Sequence, residues 1–436
     1  MASNKDRDLI VRVGPGTPMG EFMRQYWIPA ALSSEFVADG DPVRLMLLGE
    51  KLVGFRDSSG RVGIMDHRCP HRCASLFFGR NEEGGLRCVY HGWKFDAEGN
   101  CLDMANVPPH QDFKHKVHAK AYRTAERNGL VWVYMGDQAK VPDLPKIEAT
   151  LVAERDNNID AFLRECNWLQ ALEGDLDTSH VGFLHGGHRT LQDHGQDDLT
   201  RYGTLRRDPE YDVVETDYGA MYGAYRPAGD GNLYWRIGHF MFPFWSITPS
   251  APFGLQVYAR AWVPLDDTHT MSFRIVWKEG RLKGIRGNTP SGTVLGNYGH
   301  LPNTTDWLGR FRLERNKAND YLIDRADQRT KTYTGIAGIS EQDQMVTESM
   351  GEITDWDVEH LAPSDRMITT ARRRLLTALN AFRKNGTRPP CADDPETYYQ
   401  ARGGYFEAPE GAPMVDLYRQ KLAETRAEIP YAVAAE

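Results

Sequence analysis

The stretch from Cys69 to His91, CPHRCASLFFGRNEEGGLRCVYH, constrains this chain more than any other. Cys69-Pro70-His71 sets a thiol and an imidazole two positions apart, and Cys88-Val89-Tyr90-His91 sets a second such pair three apart. Sixteen residues, Arg72 to Arg87, separate the pairs. Two thiolates and two imidazoles are the donor set of a [2Fe–2S] cluster in which imidazoles replace thiolates on one iron. A structural zinc site can use the same four donors, but it pairs Cys with Cys and His with His. Here each pair holds one of each. Gly79, Gly84 and Gly85 permit tight turns between the pairs. Pro70 stiffens the first loop, and Trp93 follows the second as a shield against water.

This mixed-ligand cluster is a Rieske centre. Its neutral imidazoles remove negative charge and raise the potential to roughly −150 to +300 mV, against about −400 mV for an all-thiolate cluster. Such a centre accepts an electron from a ferredoxin-type donor and passes it on. The remaining four of six cysteines, at 73, 101, 166 and 391, form no disulfide-like framework, which suits a reducing cytoplasm. A net charge of −8 without a basic tract argues against nucleic acid or an anionic membrane as partner. The N-terminal residues lack a long apolar run, so the expectation is no signal peptide and no membrane span.

At 436 residues the chain has room for two or three domains. Residues 1–40 read as an N-terminal helical segment packing on the rest, with Thr17 as N-cap and Pro18 at the first helical position. Residues 41–140 carry short strands and turns, closing on the Asn128-Gly129 hairpin signal and the buried run LVWVYM; they predict a small all-β domain around the cluster. Pro142 and Pro145 mark a linker. Residues 150–436 predict an α+β domain. It has a helix over 167–185 ending at Gly186-Gly187, an antiparallel sheet over 200–280, and a Gly/Asn/Pro-rich lid or binding loop at 280–305. Helices follow from 306, and the tail after 386 is polar and Pro-rich with one last helix near 415–428.

The helix at 167–185 carries Asp177-x₂-His180-x₄-His185. Two His and a later carboxylate make the facial triad of a non-haem Fe(II) oxygenase. Five residues turn an ideal helix by about 140°. The two imidazoles therefore converge only if the helix loosens, which Gly182 and Gly186-Gly187 permit. The bland alternative is a pair of helix-end histidines. An upstream electron carrier favours the metal, since its electron needs a destination.

In order and spacing these motifs resemble the α-subunits of Rieske non-haem iron ring-hydroxylating oxygenases. The phthalate dioxygenase-like branch is the most similar, through NWLQ-x-x-EG-x-x-D at 167–177 and TGI-x-GI-x-x-QD…ESMG at 334–351. The resemblance implies an N-terminal Rieske [2Fe–2S] domain and a C-terminal helix-grip catalytic domain, an antiparallel sheet with helices. It implies His180, His185 and Asp343 as ligands of a mononuclear Fe(II), with O₂ as co-substrate. The residues alone do not choose Asp343 over Glu341, Glu348 or Asp355. It further implies that Asp177 accepts a hydrogen bond from His180 and meets a cluster imidazole, His91, of a neighbouring subunit in an α₃ or α₃α₃ ring. Glu173 is a candidate to support Asp177, and Asn167 a candidate to lie near the iron. The chain has neither a plant-type cluster motif nor a nucleotide fingerprint. A separate NAD(P)H-dependent reductase, with flavin and a plant-type [2Fe–2S] centre, is therefore the expected electron donor.

The resemblance implies dihydroxylation of an aromatic carboxylate, phthalate- or benzoate-like. The rival within the class is oxidative O-demethylation of a methoxylated, lignin-derived aromatic acid. A rival from another class is an electron carrier that uses only the Rieske domain. A carboxylate substrate calls for arginine. The candidates are Arg201, Arg206, Arg207, Arg226 and Arg236, with Arg207 and Arg236 preferred. Tyr234, Trp235, Phe240, Phe242, Phe244 and Trp245 are dense enough to line a flat pocket, though most are expected in the core.

Overall fold

Three antiparallel sheets carry the chain, whose residues 3–195, 198–277 and 299–428 are described by a computed structural model. The first sheet holds β1 (Trp27–Leu32), β2 (Val43–Leu47), β3 (Glu50–Arg56), β4 (Val62–Asp66), β9 (Ala121–Arg127) and β10 (Leu130–Tyr134), in the order β1-β10-β9-β4-β3-β2. A four-stranded sheet of β5 (Arg80–Glu82), β6 (Gly85–Arg87), β7 (Trp93–Phe95) and β8 (Cys101–Met104) carries the cluster motifs between and beside its strands. The third and largest holds β11 (Asn157–Arg164), β12 (Glu210–Thr216), β13 (Gly219–Gly229), β14 (Asn232–Met241), β15 (Trp245–Ile247), β16 (Tyr258–Pro264) and β17 (Thr270–Trp277), with β18 (Gly404–Pro409) added along the first half of β14.

The helices are α1 (Asn4–Val11), α2 (Pro18–Met23), α3 (Trp168–Leu176), α4 (Arg201–Leu205), α5 (Arg325–Thr330), α6 (Ile339–Ser349), α7 (Arg366–Asn385) and α8 (Met414–Glu428). Thr17 caps α2, its hydroxyl accepting from the Gly20 N–H at 3.2 Å. Asn128 (φ 56°) and Gly129 (φ 76°) both take left-handed backbone, the geometry of a type I′ turn, and join β9 to β10. Asp230 and Gly231 do the same between β13 and β14.

Several expectations need correction. Residues 1–40 are not only helical, because Trp27–Leu32 is an edge strand paired with β10. The helix expected over 167–185 stops at Leu176, where Asp177 turns to extended backbone. His180 lies on a separate 3₁₀ turn, His180–Gly182. The segment after 306 is less helical than its composition suggests: Asp320, Tyr321 and Leu322 have positive φ and break it before α5. β11 and β18 were not foreseen at all. β18 rises from the polar tail, where alternation over six residues is too short to stand out. Most of the loop expected at 280–305 lies outside the described residues.

The two halves share one core. Trp132 of β10 stacks on Trp245 of β15 at 5.7 Å between ring centroids. Across the same boundary, Arg310 Nε and Nη2 each lie 2.6 Å from a carboxylate oxygen of Glu35. Both side chains are nearly buried, at 8% and 13% exposed. Deleting one partner of a buried pair strands the other charge in low dielectric. Arg310→Ala is therefore expected to lower the unfolding free energy by about 3 kcal/mol, measured as a fall in the urea midpoint with the cluster's visible absorption as a second probe.

Candidate metal centres and substrate cavity

The cluster motifs fold into twin loops. In the first, the Cys69 N–H donates to the Ala74 carbonyl at 2.8 Å and the Cys73 N–H to the Cys69 carbonyl at 2.9 Å. In the second, Cys88 donates to Trp93 at 2.8 Å and Gly92 to Cys88 at 2.9 Å. The fifth residue of each loop, Cys73 (φ 60°) and Gly92 (φ 77°), turns the chain through left-handed backbone. The loops present two buried thiols, Cys69 and Cys88, and two half-buried imidazoles whose centroids are 4.5 Å apart. Trp93 stacks on His71 at 4.4 Å and 10°.

Burial, with Cys88 close by, pushes the Cys69 thiol up to about 12, so a thiolate there needs a cation beside it. Nδ1 of His91 is buried and has no hydrogen-bond partner among the described residues. That is the state of a nitrogen whose partner is a metal rather than a protein group. The four side chains fit a Rieske cluster.

The second centre forms where the chain leaves α3. Asn167 caps that helix, its Oδ1 accepting from Leu169 N–H at 3.0 Å, and its amide also holds the Val11 and Asp267 carbonyls. It is thereby committed to structure, away from the cavity. Glu173 is likewise taken by Arg372, with contacts of 2.6 and 2.7 Å, and does not support Asp177. Beyond Leu176, Asp177 Oδ1 accepts from the Ser179 N–H (2.8 Å) and hydroxyl (2.6 Å), which sets the turn into His180. Its Oδ2 is 3.7 Å from His180 Nδ1, an electrostatic contact too long for the direct hydrogen bond expected.

His180 Nε2, His185 Nε2 and Asp343 Oδ1 meet, with separations of 3.1, 3.1 and 3.5 Å. These three residues are the metal-ligand cluster found among the described residues. Donors about 2.1 Å from one metal and at right angles to each other would stand about 3.0 Å apart. The observed spacing is thus that of three donors on one face of a metal, with the opposite face open. Without a cation, three acceptors would crowd together. Burial and His185 push His180 below its usual range. Burial opposes charge on His185 and on Asp343 as well, but their mutual attraction wins, holding His185 up and Asp343 far down.

The other carboxylates near Asp343 are placed elsewhere. Glu341 folds back over Gly338. Glu348 is bound by the Glu165 N–H, the Gln344 amide and the Tyr321 hydroxyl. Asp355 is held by Asn4.

A cavity of about 470 Å³ opens on this centre, within the usual range for a small-molecule site. One face of the large sheet forms its wall. In register, Arg226 of β13 faces Tyr234 of β14, Ala224 faces Arg236, and Arg236 faces Tyr405 of β18. Side chains two apart on a strand share a face, so Tyr222, Arg226, Tyr234, Arg236 and Tyr405 all point into the cavity.

Arg236 is therefore at the site as expected, and Arg207 is not. The Arg207 guanidinium donates to the Gly187 carbonyl and lies over Phe183, outside the cavity. Of the six aromatics considered, only Tyr234 lines the cavity; the others are core.

The cavity's cations are not equivalent. Arg260 is neutralised by Asp175, whose carboxylate also accepts from Ser246 and Trp262. Arg226 and Arg236 have no carboxylate partner among the described residues. Arg226 holds the Arg206 carbonyl through Nε and leaves Nη1 buried and unbonded. Arg236 Nε donates to the Thr178 hydroxyl at 2.9 Å. Burial, and then Arg236, push Arg226 down to about 10, which leaves it charged at neutral pH.

Comparison with known proteins agrees with this geometry. Residues 26–121 match the Rieske [2Fe-2S] domain, and residues 133–396 match the LigXa C-terminal domain like family. The chain is 47% identical over 428 residues to the 3-chlorobenzoate-3,4-dioxygenase oxygenase subunit of Comamonas testosteroni, covering 97% of this chain and 99% of that one. It belongs to the Rieske non-haem iron oxygenase α-subunits. The phthalate 4,5-dioxygenase oxygenase subunit of Pseudomonas putida is 37% identical over 391 residues, covering 88% of this chain and 87% of that one. Among solved structures, dicamba monooxygenase bound to 3,6-dichlorosalicylic acid shares the fold, with a TM-score of 0.54 at 17% identity over 84% of this chain and all of that one.

As a Rieske oxygenase α-subunit, this chain is the terminal oxygenase of an aromatic-oxidising system. It uses a Rieske cluster, a mononuclear iron and O₂, with electrons from a separate reductase. The reading as a pure electron carrier is overturned by the second metal centre and by these relatives. Among the described residues, no helix is long and apolar enough to cross a membrane.

His180→Ala removes one of three converging donors. It is expected to abolish mononuclear iron binding while the cluster's visible spectrum persists, as checked by iron analysis and absorption on the same sample.

Proposed function

We propose that this chain dihydroxylates an aromatic carboxylate. The observation that carries this reading is a pair of guanidiniums, buried Arg226 and half-buried Arg236, that line the metal-centre cavity without a counter-ion among the described residues. The two like charges oppose each other, and a carboxylate entering between them relieves that repulsion and the unmet hydrogen bond of Arg226 Nη1. The relatives named for 3-chlorobenzoate and phthalate act on aromatic acids, which supports the same chemistry here.

In this proposal Cys69, His71, Cys88 and His91 hold the cluster, and His180, His185 and Asp343 hold the iron. When bound, the cluster carries one electron at a time and the ferrous ion activates O₂. Arg226 and Arg236 anchor the acid, and the tyrosines of the same face flank its ring. Asp177 stands at the electron's entry, with Oδ1 tied to Ser179 and Oδ2 turned toward His180. The ring gains both atoms of O₂ and two hydrogens, with two electrons supplied through the reductase and two protons from water. The reductase is an NAD(P)H-dependent flavoprotein with a plant-type [2Fe–2S] centre. The chain works in the cytoplasm as an α₃ or α₃α₃ ring in which His91 of one copy approaches Asp177 of the next.

Oxygen uptake with product mass spectrometry on a panel of phthalates, benzoates and methoxylated acids tests the reading. A product heavier by two oxygens and two hydrogens is expected; loss of CH₂ with release of formaldehyde would replace it with O-demethylation. Arg236→Gln is expected to weaken binding of the acid by about 10- to 100-fold, measured as KM with kcat less affected, and Arg236→Lys is not expected to restore it. Asp177→Asn is expected to keep both metals and to lose coupled product formation, read as reduced cluster that no longer reoxidises with substrate and O₂.

A further inference from the structure

Gln342 precedes Asp343 on α6 and is fully buried, at 0% exposed. Its Nε2 lies 2.8 Å from the Ile336 carbonyl, and its Oε1 lies 2.7 Å from Nδ1 of His185. The first contact decides the second. A backbone carbonyl only accepts, so the amide nitrogen must face Ile336 and the amide oxygen must face His185. An amide oxygen also only accepts, so Nδ1 of His185 carries the proton. Nε2 is then the nitrogen with the free lone pair, and it is Nε2 that stands 3.1 Å from both His180 Nε2 and Asp343 Oδ1.

Consecutive residues of one helix thus grip the His185 ring at both ends: Gln342 at Nδ1, Asp343 at Nε2. His180 has no such grip. Its Nδ1 faces a carboxylate at 3.7 Å, and that carboxylate is already engaged by Ser179.

We propose that Gln342 is the positioning residue for the mononuclear iron, fixing the tautomer and ring plane of His185 so that Nε2 is offered to the metal. The proposal rests on the reading of His180, His185 and Asp343 as the iron ligands. The partner of a ligating imidazole sets its orientation and donor strength. Here that partner is a neutral amide rather than a carboxylate. Its oxygen accepts the Nδ1 proton, a role that a carboxylate oxygen would fill as well.

The test compares Gln342→Leu and Gln342→Glu in the full chain with its cluster in place. Leucine removes both hydrogen bonds at similar volume. Glutamate keeps the acceptor toward His185 and loses the donor toward Ile336. After chelation of iron, Co(II) is titrated in and its dissociation constant measured by equilibrium dialysis. The cobalt form also gives a paramagnetically shifted, exchangeable proton signal for a ligating imidazole N–H. Gln342→Leu is expected to weaken Co(II) binding by about 10- to 100-fold and to lose that signal to rapid solvent exchange. Gln342→Glu is expected to retain both affinity and signal. Equal losses in the two variants would assign Gln342 to anchoring the Ile336 loop and overturn the proposal, as would wild-type affinity in Gln342→Leu. Should the leucine variant fail to fold, Gln342→Met takes its place, removing the amide at similar volume: losses in it beside retention in Gln342→Glu support the proposal, and wild-type behaviour in it overturns the proposal. His185→Ala run alongside separates the two ideas, because undiminished Co(II) binding there would remove the ligand assignment itself.

Discussion

The metal centre depends on a tie between two helices, made by one amide. Gln170, on the first turn of α3, donates through Nε2 to the carbonyls of Thr347 (2.9 Å) and Gly351 (2.8 Å) at the end of α6. Its Oε1 accepts from the N–H and hydroxyl of Thr354, at 2.9 and 3.1 Å. Carbonyls at a helix C-terminus lack partners within the helix, and here another helix supplies one. Buried Arg164, at the end of β11, holds the same helix α6, donating to the Thr347 hydroxyl at 2.8 Å and to the Ser340 carbonyl at 3.2 Å. The Thr347 hydroxyl in turn donates to the Asp343 carbonyl at 2.8 Å. Neither helix carries a complete metal site. Docked together, they bring Asp343 against two histidines that follow the end of α3.

The cavity beside that centre is organised by charge. Most buried cations near it are compensated within the protein: Arg260 by Asp175, and Arg372 by Glu173 and Glu359. Arg226 and Arg236 form no ion pair among the described residues, and sheet register puts both on one face with Tyr222, Tyr234 and Tyr405. Holding two such groups together opposes folding unless water or a ligand satisfies them. This face of the sheet forms a polar wall of the cavity, while the apolar mass of β14 and β15 goes to the core.

The N-terminal half is joined to this machinery as part of one structure. Trp132 and Trp245 share a core, Arg310 clamps Glu35, and Trp307 meets His67 at 5.1 Å at the base of the first cluster loop. The cluster loops thus stand on a base held from both sides. The twin hydrogen-bond pattern closes each loop through its own backbone.

The four cluster donors and the His180–His185 pair were legible in the sequence because each lies in a short local motif: Cys-x-His, Cys-x₂-His and His-x₄-His. The Asn128-Gly129 hairpin and the buried LVWVY strand were legible for the same reason, a backbone preference and an apolar run. The choice of carboxylate was not. Residues alone left Glu341, Asp343, Glu348 and Asp355 open, and only the docking of α6 on α3 separates them, across 158 positions from His185 to Asp343. The choice between Arg207 and Arg226 was hidden likewise. A strand's facing follows from its register with neighbours, and a shift of one residue reverses every side chain. Gln342 looked like any polar helix residue until folding set its oxygen 2.7 Å from His185. The sequence by itself determined the cluster donors, the His180–His185 pair and a region of short strands around the cluster motifs. The tertiary structure decided which charges meet, because those contacts join strands and helices far apart in the chain.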